Sequence, residues 1–367
     1  MTSNPVSCTV NCAAGGTLAS AVALQPRTTG RLTITIKGTC VASTDDLPSR
    51  ITLQGATGAT LQAPKATTDP VLGISGIGVE LSKLTISGGV YALRGHQGAA
   101  FDGTDLVIEK ASTADVLLNH AVATLNTSTI ESSASDGIDA VYGGTISLNG
   151  GVVQKNTAIG VSATESGSAD IFGGAMLEDN GVAGAYAGSG GSVDVSAGSV
   201  TKNGSGSGGI GGIDVGTGGA AVVEGSTTSV SGNTGDGIAV FEGGVARIDD
   251  AKIEDNSGEG LLLDQGAFAK IREGAIVEGN EIGIYVGSGT VTVGDTLGPA
   301  TIQSNKSDGI FLRTNSVALF GNSANKIIDN SGWGILCTGS PSNPLIYGTV
   351  GTVSGNKAGR IDCKTSP

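Results

Sequence analysis

Aliphatic residues return along this chain at a fixed beat. Val153, Leu177, Val200, Val230, Ile253, Val277, Ile302, Ile327 and Val353 each stand three positions before an asparagine: Asn156, Asn180, Asn203, Asn233, Asn256, Asn280, Asn305, Asn330 and Asn356. Successive asparagines are 24, 23, 30, 23, 24, 25, 25 and 26 residues apart. The aliphatic column continues backwards to Ile130, Ile108 and Ile86, where Ser133, Ala111 and Gly89 take the asparagine position, giving twelve rungs in all. A period of roughly 20 to 30 residues marks stacked supersecondary units rather than a globular core.

A second motif follows most of the asparagines about four residues on: a glycine and then alternating residues, as in Gly237-Ile238-Ala239-Val240, Gly283-Ile284-Tyr285-Val286 and Gly309-Ile310-Phe311-Leu312. Alternation of period two reads as strand, with the first and third residues inward. The glycine is expected to supply unusual backbone angles at the bend. Coils of 22 to 26 residues without a helical stretch between strands predict an all-β chain, a right-handed parallel β-helix of about twelve coils. The asparagines then stack into a ladder, hydrogen-bonding amides that would be costly to bury alone. The one long interval contains Gly204-Ser205-Gly206-Ser207-Gly208-Gly209, which reads as an extruded loop.

A solenoid must shield its terminal strands from edge-to-edge pairing. Residues 1–50 are read as an N-terminal cap, with a short amphipathic helix over 17–24 and the first strand at Leu32-Thr33-Ile34-Thr35-Ile36. Residues 51–367 are read as the β-helix proper, opening at Ile51-Thr52-Leu53. Cys337 and Cys363 each lie seven residues after their coil's asparagine, so they occupy equivalent places in adjacent coils and are predicted to staple the last one. Cys8, Cys12 and Cys40 crowd the other end; one pair among them closes the cap and one thiol is left over.

Composition agrees with a thin, stacked core. Glycine contributes 63 residues and proline 9, yet 38% of the chain is hydrophobic, too apolar for a disordered linker. Aromatics are 3%, so small and β-branched side chains fill the interior. A formal charge of −13 excludes nucleic acid as a partner, because phosphates need Lys and Arg to neutralise them. No run of eighteen apolar residues is present to form a transmembrane helix. Paired cysteines point to an oxidising compartment, hence a secreted, cell-surface or periplasmic protein. Residues 1–5 lack the basic and apolar regions of a signal peptide, and the leader is expected to have been replaced by Met1.

The asparagine column, the Gly-Ile-x-Val-like strands and the opening Ile36-Lys37-Gly38-Thr39-Cys40 with Ile51-Thr52-Leu53-Gln54-Gly55 together resemble the secreted right-handed β-helix proteins of the pectate-lyase-like superfamily. The resemblance covers nearly the whole chain and specifies fold far more than activity. It implies polysaccharide chemistry through carboxylates, a basic residue and sometimes calcium on one outer face. Of the polygalacturonase-like motifs only Asp249-Asp250 is matched; His96 sits in Arg94-Gly95-His96-Gln97-Gly98, and no Asp-Pro-His-Glu of the epimerase kind occurs.

The candidate catalytic residues are therefore Asp249, Asp250, Glu273 and Arg272, and the candidate calcium ligands are Glu254 and Glu278 at equivalent positions of successive coils. Apart from calcium no cofactor is expected. A solvated acidic face competes with both assignments, and Asp45-Asp46 reads as a polar loop. The outward residue after each glycine reads Asp139, Ser162, Ala185, Asp214, Ala239, Leu262, Tyr285, Phe311 and Leu336. Leu262, Tyr285, Phe311 and Leu336 would form an apolar contact surface for self-association or for a ligand such as a polysaccharide or cell-surface glycan. The leading reading is a non-catalytic extracellular β-helix acting as an adhesin, surface or matrix scaffold. A polysaccharide lyase, hydrolase or epimerase is the alternative, and a phage receptor-binding segment is a third.

Overall fold

The computed structural model describes residues 6–24, 30–42, 44–65, 67–206, 209–339 and 344–363. Residues 1–5, on which the leader reading rests, and Ser207 and Gly208 of the glycine loop lie outside them. The chain comprises two units, Met1–Met176 and Leu177–Pro367, built on one plan. Each full coil gives one strand to each of three parallel sheets. In the first unit the first sheet starts with Val6–Asn11 against Leu32–Lys37, the second with Thr39–Val41 against Thr60–Gln62, and the third with Thr44–Leu47 against Leu72–Ile74. In the second unit the sheets end at Leu345–Gly348, Thr352–Ser354 and Gly359–Asp362. The chain is thus a right-handed parallel β-helix of about fifteen turns; the first sheet holds eight strands in the first unit and seven in the second, against the dozen expected. The added coils precede Ile86 and carry no asparagine by which to be counted.

Register follows the aliphatic column. Ile86, Ile108, Ile130 and Val153 are successive partners in the first unit, and Val200, Val230, Ile253, Val277, Ile302, Ile327 and Val353 in the second. These side chains are buried. Removing each from water contributes about 1.5–3 kcal/mol.

The ladder forms. Asn256 Oδ1 accepts hydrogen bonds from the backbone N–H and the Nδ2 of Asn233 at 3.1 and 2.9 Å, while Asn256 Nδ2 donates to Val230 O at 3.1 Å. Asn203, Asn280, Asn305, Asn330 and Asn356 repeat the pattern in the second unit, and Asn156 accepts from the Ser133 N–H in the first. The residue before each asparagine is left-handed, as at Lys155, Lys202, Asp255 and Asp329, which turns the amide inward.

The glycine column has a different purpose from the one expected. Gly260 and Gly283 are not left-handed. A Cβ at Gly260 would lie 2.7 Å from Asn280 Nδ2, and one at Gly283 would lie 2.7 Å from Asn305 Nδ2. Each glycine leaves room for the next coil's ladder asparagine. The exception supports this: Asp115 stands opposite Gly137, where the next coil offers only Ser133, and its Oδ1 accepts the Ala111 N–H at 2.8 Å.

At the N-terminal end a short helix, Leu18–Val22, is capped by the Thr17 side chain and buries Leu18 and Ala21. Disulfides join Cys12 to Cys40 and Cys337 to Cys363, with Cα–Cα distances of 5.1 and 4.6 Å, leaving Cys8 as the free thiol. Asp46 is not in a loop: Thr44–Leu47 is a strand, and Asp46 Oδ1 lies 2.8 Å from His96 Nε2.

Candidate functional site

The first-sheet strands Ala220–Glu224, Val245–Asp249 and Ala267–Arg272 end in register, so Glu224, Asp249 and Arg272 stand side by side. Asp249, 5% exposed, gives both carboxylate oxygens to Arg272, at 2.8 Å to Nε and 3.1 Å to Nη2. Arg272 Nη1 reaches Asp295 at 3.1 Å, with Lys270 Nζ at 3.4 Å from the same carboxylate. Arg247 bridges Glu224 at 2.9 Å and Asp249 at 3.3 Å. The hydrogen bonds to Asp249, and then to Asp295, hold the Arg272 guanidinium above its ordinary pKa against the effect of burial. Burial alone would raise Asp295, but the Leu297 amide, Arg272 and Lys270 outweigh it and hold that carboxyl below the usual range. The structure therefore brings Asp249 and Arg272 together as a two-pronged ion pair, each the other's main partner.

Asp250 and Glu273 occupy the corner after these strands, with φ of 52° and 58°. Aspartate tolerates that conformation better than most residues, which gives Asp250 a backbone reason to be there. The Glu273 carboxylate is 3.8 Å from Arg272 Nε. Glu254 and Glu278 are register partners on the second sheet; the first accepts from Ser229 Oγ at 3.2 Å and the second from Gln303 Nε2 at 2.6 Å. Among the described residues no group of three or more His, Cys, Asp or Glu side chains is placed to hold a metal ion.

On the third sheet of the second unit, Leu262, Tyr285, Phe311 and Leu336 are successive register partners, all half-buried on the outer face. The Tyr285 and Phe311 rings are 5.3 Å apart at a tilt of 40°, and Arg313 Nη1 donates to the Tyr285 hydroxyl at 3.0 Å. One position of the expected column is corrected: Ala185 pairs with inward Ile213, and the outward residue is Tyr186, the partner of Asp214. The inward residues there are Ala183, Ala185 and Ala187, too small to make the alternation visible against Gly184. Asp214 is pushed up to about 6, by burial first and by the Glu242 charge, against the Val215 amide.

In the first unit the outward third-sheet positions are mostly polar, with Arg94, Asp139 and Ser162 in register around Leu117. His120 Nδ1 lies 2.7 Å from Asn119 Oδ1, and its ring stacks on Tyr142 at 5.9 Å. Asp139 is pushed up to about 7 by burial and the Asp136 charge, with the Ser162 hydroxyl opposing.

Fold and outer face together define a right-handed parallel β-helix protein, and the resemblance to the pectate-lyase-like superfamily holds at that level. Residues 175–296 match the family described as "Right handed beta helix region". No curated protein sequence matches the chain. Among solved structures, the chain is similar to the A-module of the mannuronan C-5 epimerase AlgE4 of Azotobacter vinelandii, at 13% identity over 94% of this chain and 92% of that one, with a TM-score of 0.41. PfbA, a surface adhesin of Streptococcus pneumoniae, is similar at 10% identity over 91% and 87%, with a TM-score of 0.33. At these values none of their functions transfers. No helix among the described residues is long and apolar enough to cross a membrane.

Proposed function

We propose that this protein is an extracellular binding β-helix, an adhesin-like surface or matrix scaffold that holds a glycan along the third-sheet face of Leu177–Pro367. One observation carries the reading: Leu262, Tyr285, Phe311 and Leu336 stand in register, partly exposed, with the two rings in contact. A sugar ring has an apolar C–H face that packs on such a strip, and neighbouring strands about 4.8 Å apart match the repeat of a polymer better than that of a small molecule. The two disulfides support a location outside the cytoplasm. The engagement of Asp249 and Arg272 with each other counts against catalysis at that place.

The test is a glycan-binding panel run beside product analysis by mass spectrometry, with and without calcium. The parent is expected to bind a glycan without cleaving it, and the double variant Tyr285→Ser, Phe311→Ser to lose roughly tenfold or more in affinity. Unchanged binding and unchanged oligomeric mass in that variant would remove the strip from consideration. New oligosaccharides or unsaturated ends, lost in Asp250→Ala, would replace the reading with a lyase, hydrolase or epimerase.

A further inference from the structure

One corner of the first unit is built differently from its neighbours. In the two coils that follow it, two residues join the first sheet to the second: Lys83 and Leu84 between Ile77–Ser82 and Thr85–Ser87, Asp105 and Leu106 between Ala100–Thr104 and Val107–Glu109. Between Ile51–Gly55 and Thr60–Gln62 there are four, from Ala56 to Ala59. The Ala59 N–H donates to Ala56 O at 2.9 Å and Gly58 has φ of 71°, a turn whose third position calls for glycine. The longer turn stands beside the next two corners, and together they line a surface pocket of about 580 Å³.

The groups around this pocket are open to solvent. Thr57, Gly58, Lys83 and Asp105 are exposed, and Ala56 and Val107, also on its wall, are half-buried. The Thr57 and Gly58 N–H groups and the Lys83 ammonium have no hydrogen-bond or ion-pair partner among the described residues. Lys83 and Asp105 hold the same corner position in successive coils, with φ of 54° and 53°, yet they do not pair. Asp105 Oδ1 instead accepts the Thr127 hydroxyl of the coil after, at 2.7 Å. The pocket therefore presents three donor groups, one of them charged, and a carboxylate, with the opposite signs kept apart.

We propose that this corner binds a short zwitterionic peptide. Its carboxylate is held by the Lys83 ammonium and the Thr57 and Gly58 amides, its ammonium by Asp105, and an apolar side chain packs on Ala56 and Val107. A simple anion in the same place would meet Asp105, and a simple cation would meet Lys83. A molecule that carries both signs is paired at each end and adds no net charge to a protein of formal charge −13. Free backbone amides beside a lysine are suited to capturing a peptide C-terminus. The volume is that of a small-ligand site. A dipeptide extends roughly 7 Å, enough to span the step of about 4.8 Å from one coil to the next with a contact at each end. The site belongs to Met1–Met176 and does not rest on the glycan-binding reading.

Titration calorimetry of the full chain with leucyl-leucine tests this, beside two analogues that each lack one charge, the N-acetyl form and the C-terminal amide. The parent is expected to bind the free dipeptide saturably and each analogue roughly tenfold more weakly. Lys83→Gln should weaken the free dipeptide by a similar factor and no longer distinguish acid from amide. Asp105→Asn should do the same and no longer distinguish free from acetylated amine. Both variants are expected to keep the fold, since glutamine holds left-handed corners at Gln97 and Gln265 and asparagine tolerates that conformation. Analogues that bind as well as the free dipeptide overturn the inference, and so does a parent that binds none of the three at millimolar concentration. Tighter binding of cellobiose than of the dipeptide, lost in Lys83→Gln or Asp105→Asn, also overturns it and gives the pocket to a neutral sugar.

Discussion

The two units solve the same turn differently. In Leu177–Pro367 the corner after the second sheet carries an asparagine, and the facing third-sheet position is glycine. In Met1–Met176 only Asn156 and Gly137 repeat that pair, while the preceding coils offer Ser133, Ala111 and Gly89, with Ala92 and Asp115 in successive coils where the later coils have glycine. One volume must be filled and one backbone N–H must be satisfied, and either an asparagine from the next coil or an aspartate from the same coil does both. Outer faces diverge in parallel. At the end of the first-sheet strands the first unit places a neutral pair, Asn149 Nδ2 donating to Asn126 Oδ1 at 3.1 Å, where the second places Glu224, Asp249 and Arg272. Interior regularity is what leaves the outer positions free to vary without loss of register.

The largest effect should come from forcing the two solutions to collide. Gly260→Ala puts a Cβ 2.6 Å from Val277 Cγ1 and 2.7 Å from both Asn280 Nδ2 and Gly283 O. A loss of about 3 kcal/mol is expected from overpacking and a displaced ladder, read as a shift of the urea midpoint. Asp115→Ala, at the equivalent place in the first unit, meets no ladder amide and should shift it less. Equal shifts would mean that the glycine column answers to something other than the asparagines.

The ionic corner should give a middle-sized effect. Arg272→Ala leaves the buried Asp249 with only Arg247 at 3.3 Å, and a loss of about 1–2 kcal/mol follows from a carboxylate stripped of its better partner. Glu273→Gln, at the exposed corner, should stay within about 0.5 kcal/mol. A reversed order in thermal unfolding would show that Glu273, rather than Asp249, anchors Arg272.

Much of this was legible in the chain itself. The aliphatic and asparagine intervals gave the fold, the sheet register and the Cys337–Cys363 bond, because a solenoid turns sequence period directly into spatial neighbours. Leu32-Thr33-Ile34-Thr35-Ile36 is legible as a strand from its alternation, but the first coils carry no asparagine column and were not counted as rungs, and the strand Val6–Asn11 before it escaped. Tyr186 was missed because alanines fill the inward positions around it. The pairing of Asp249 with Arg272 lies 23 residues apart, one coil exactly in register, yet which of several carboxylates the guanidinium chooses depends on side-chain reach and not on period. Asp115 gave no signal at all, since an aspartate beside an alanine in Ala114-Asp115-Val116 reads as an outward polar residue.

Asp115 offers the finest test of the comparison, and its sign can be worked out. Its side chain is fully buried, Oδ1 is bonded to the Ala111 N–H, and Oδ2 has no partner among the described residues. Burial raises its pKa to about 8, with Glu109 and Glu131 adding to the shift and the Ala111 amide and Lys110 opposing it. Because the folded value lies above the unfolded one, the native state binds the proton more tightly, and the stability this contributes is complete below about pH 4 and is lost as pH rises towards 8. Asp115→Asn keeps the Oδ1 acceptor and cannot ionise, so it is expected to remove that slope and to gain on the order of 1 kcal/mol over the parent at pH 8. The difference between the two thermal midpoints, measured from pH 4 to pH 9, isolates Asp115 from the other raised carboxyls. It should be smallest at the acid end and widen steadily through neutrality. A difference that stays constant with pH would mean that Asp115 is ionised in the folded chain, and that the aspartate solution of the first unit holds its amide with a charge where the second unit uses a neutral side chain.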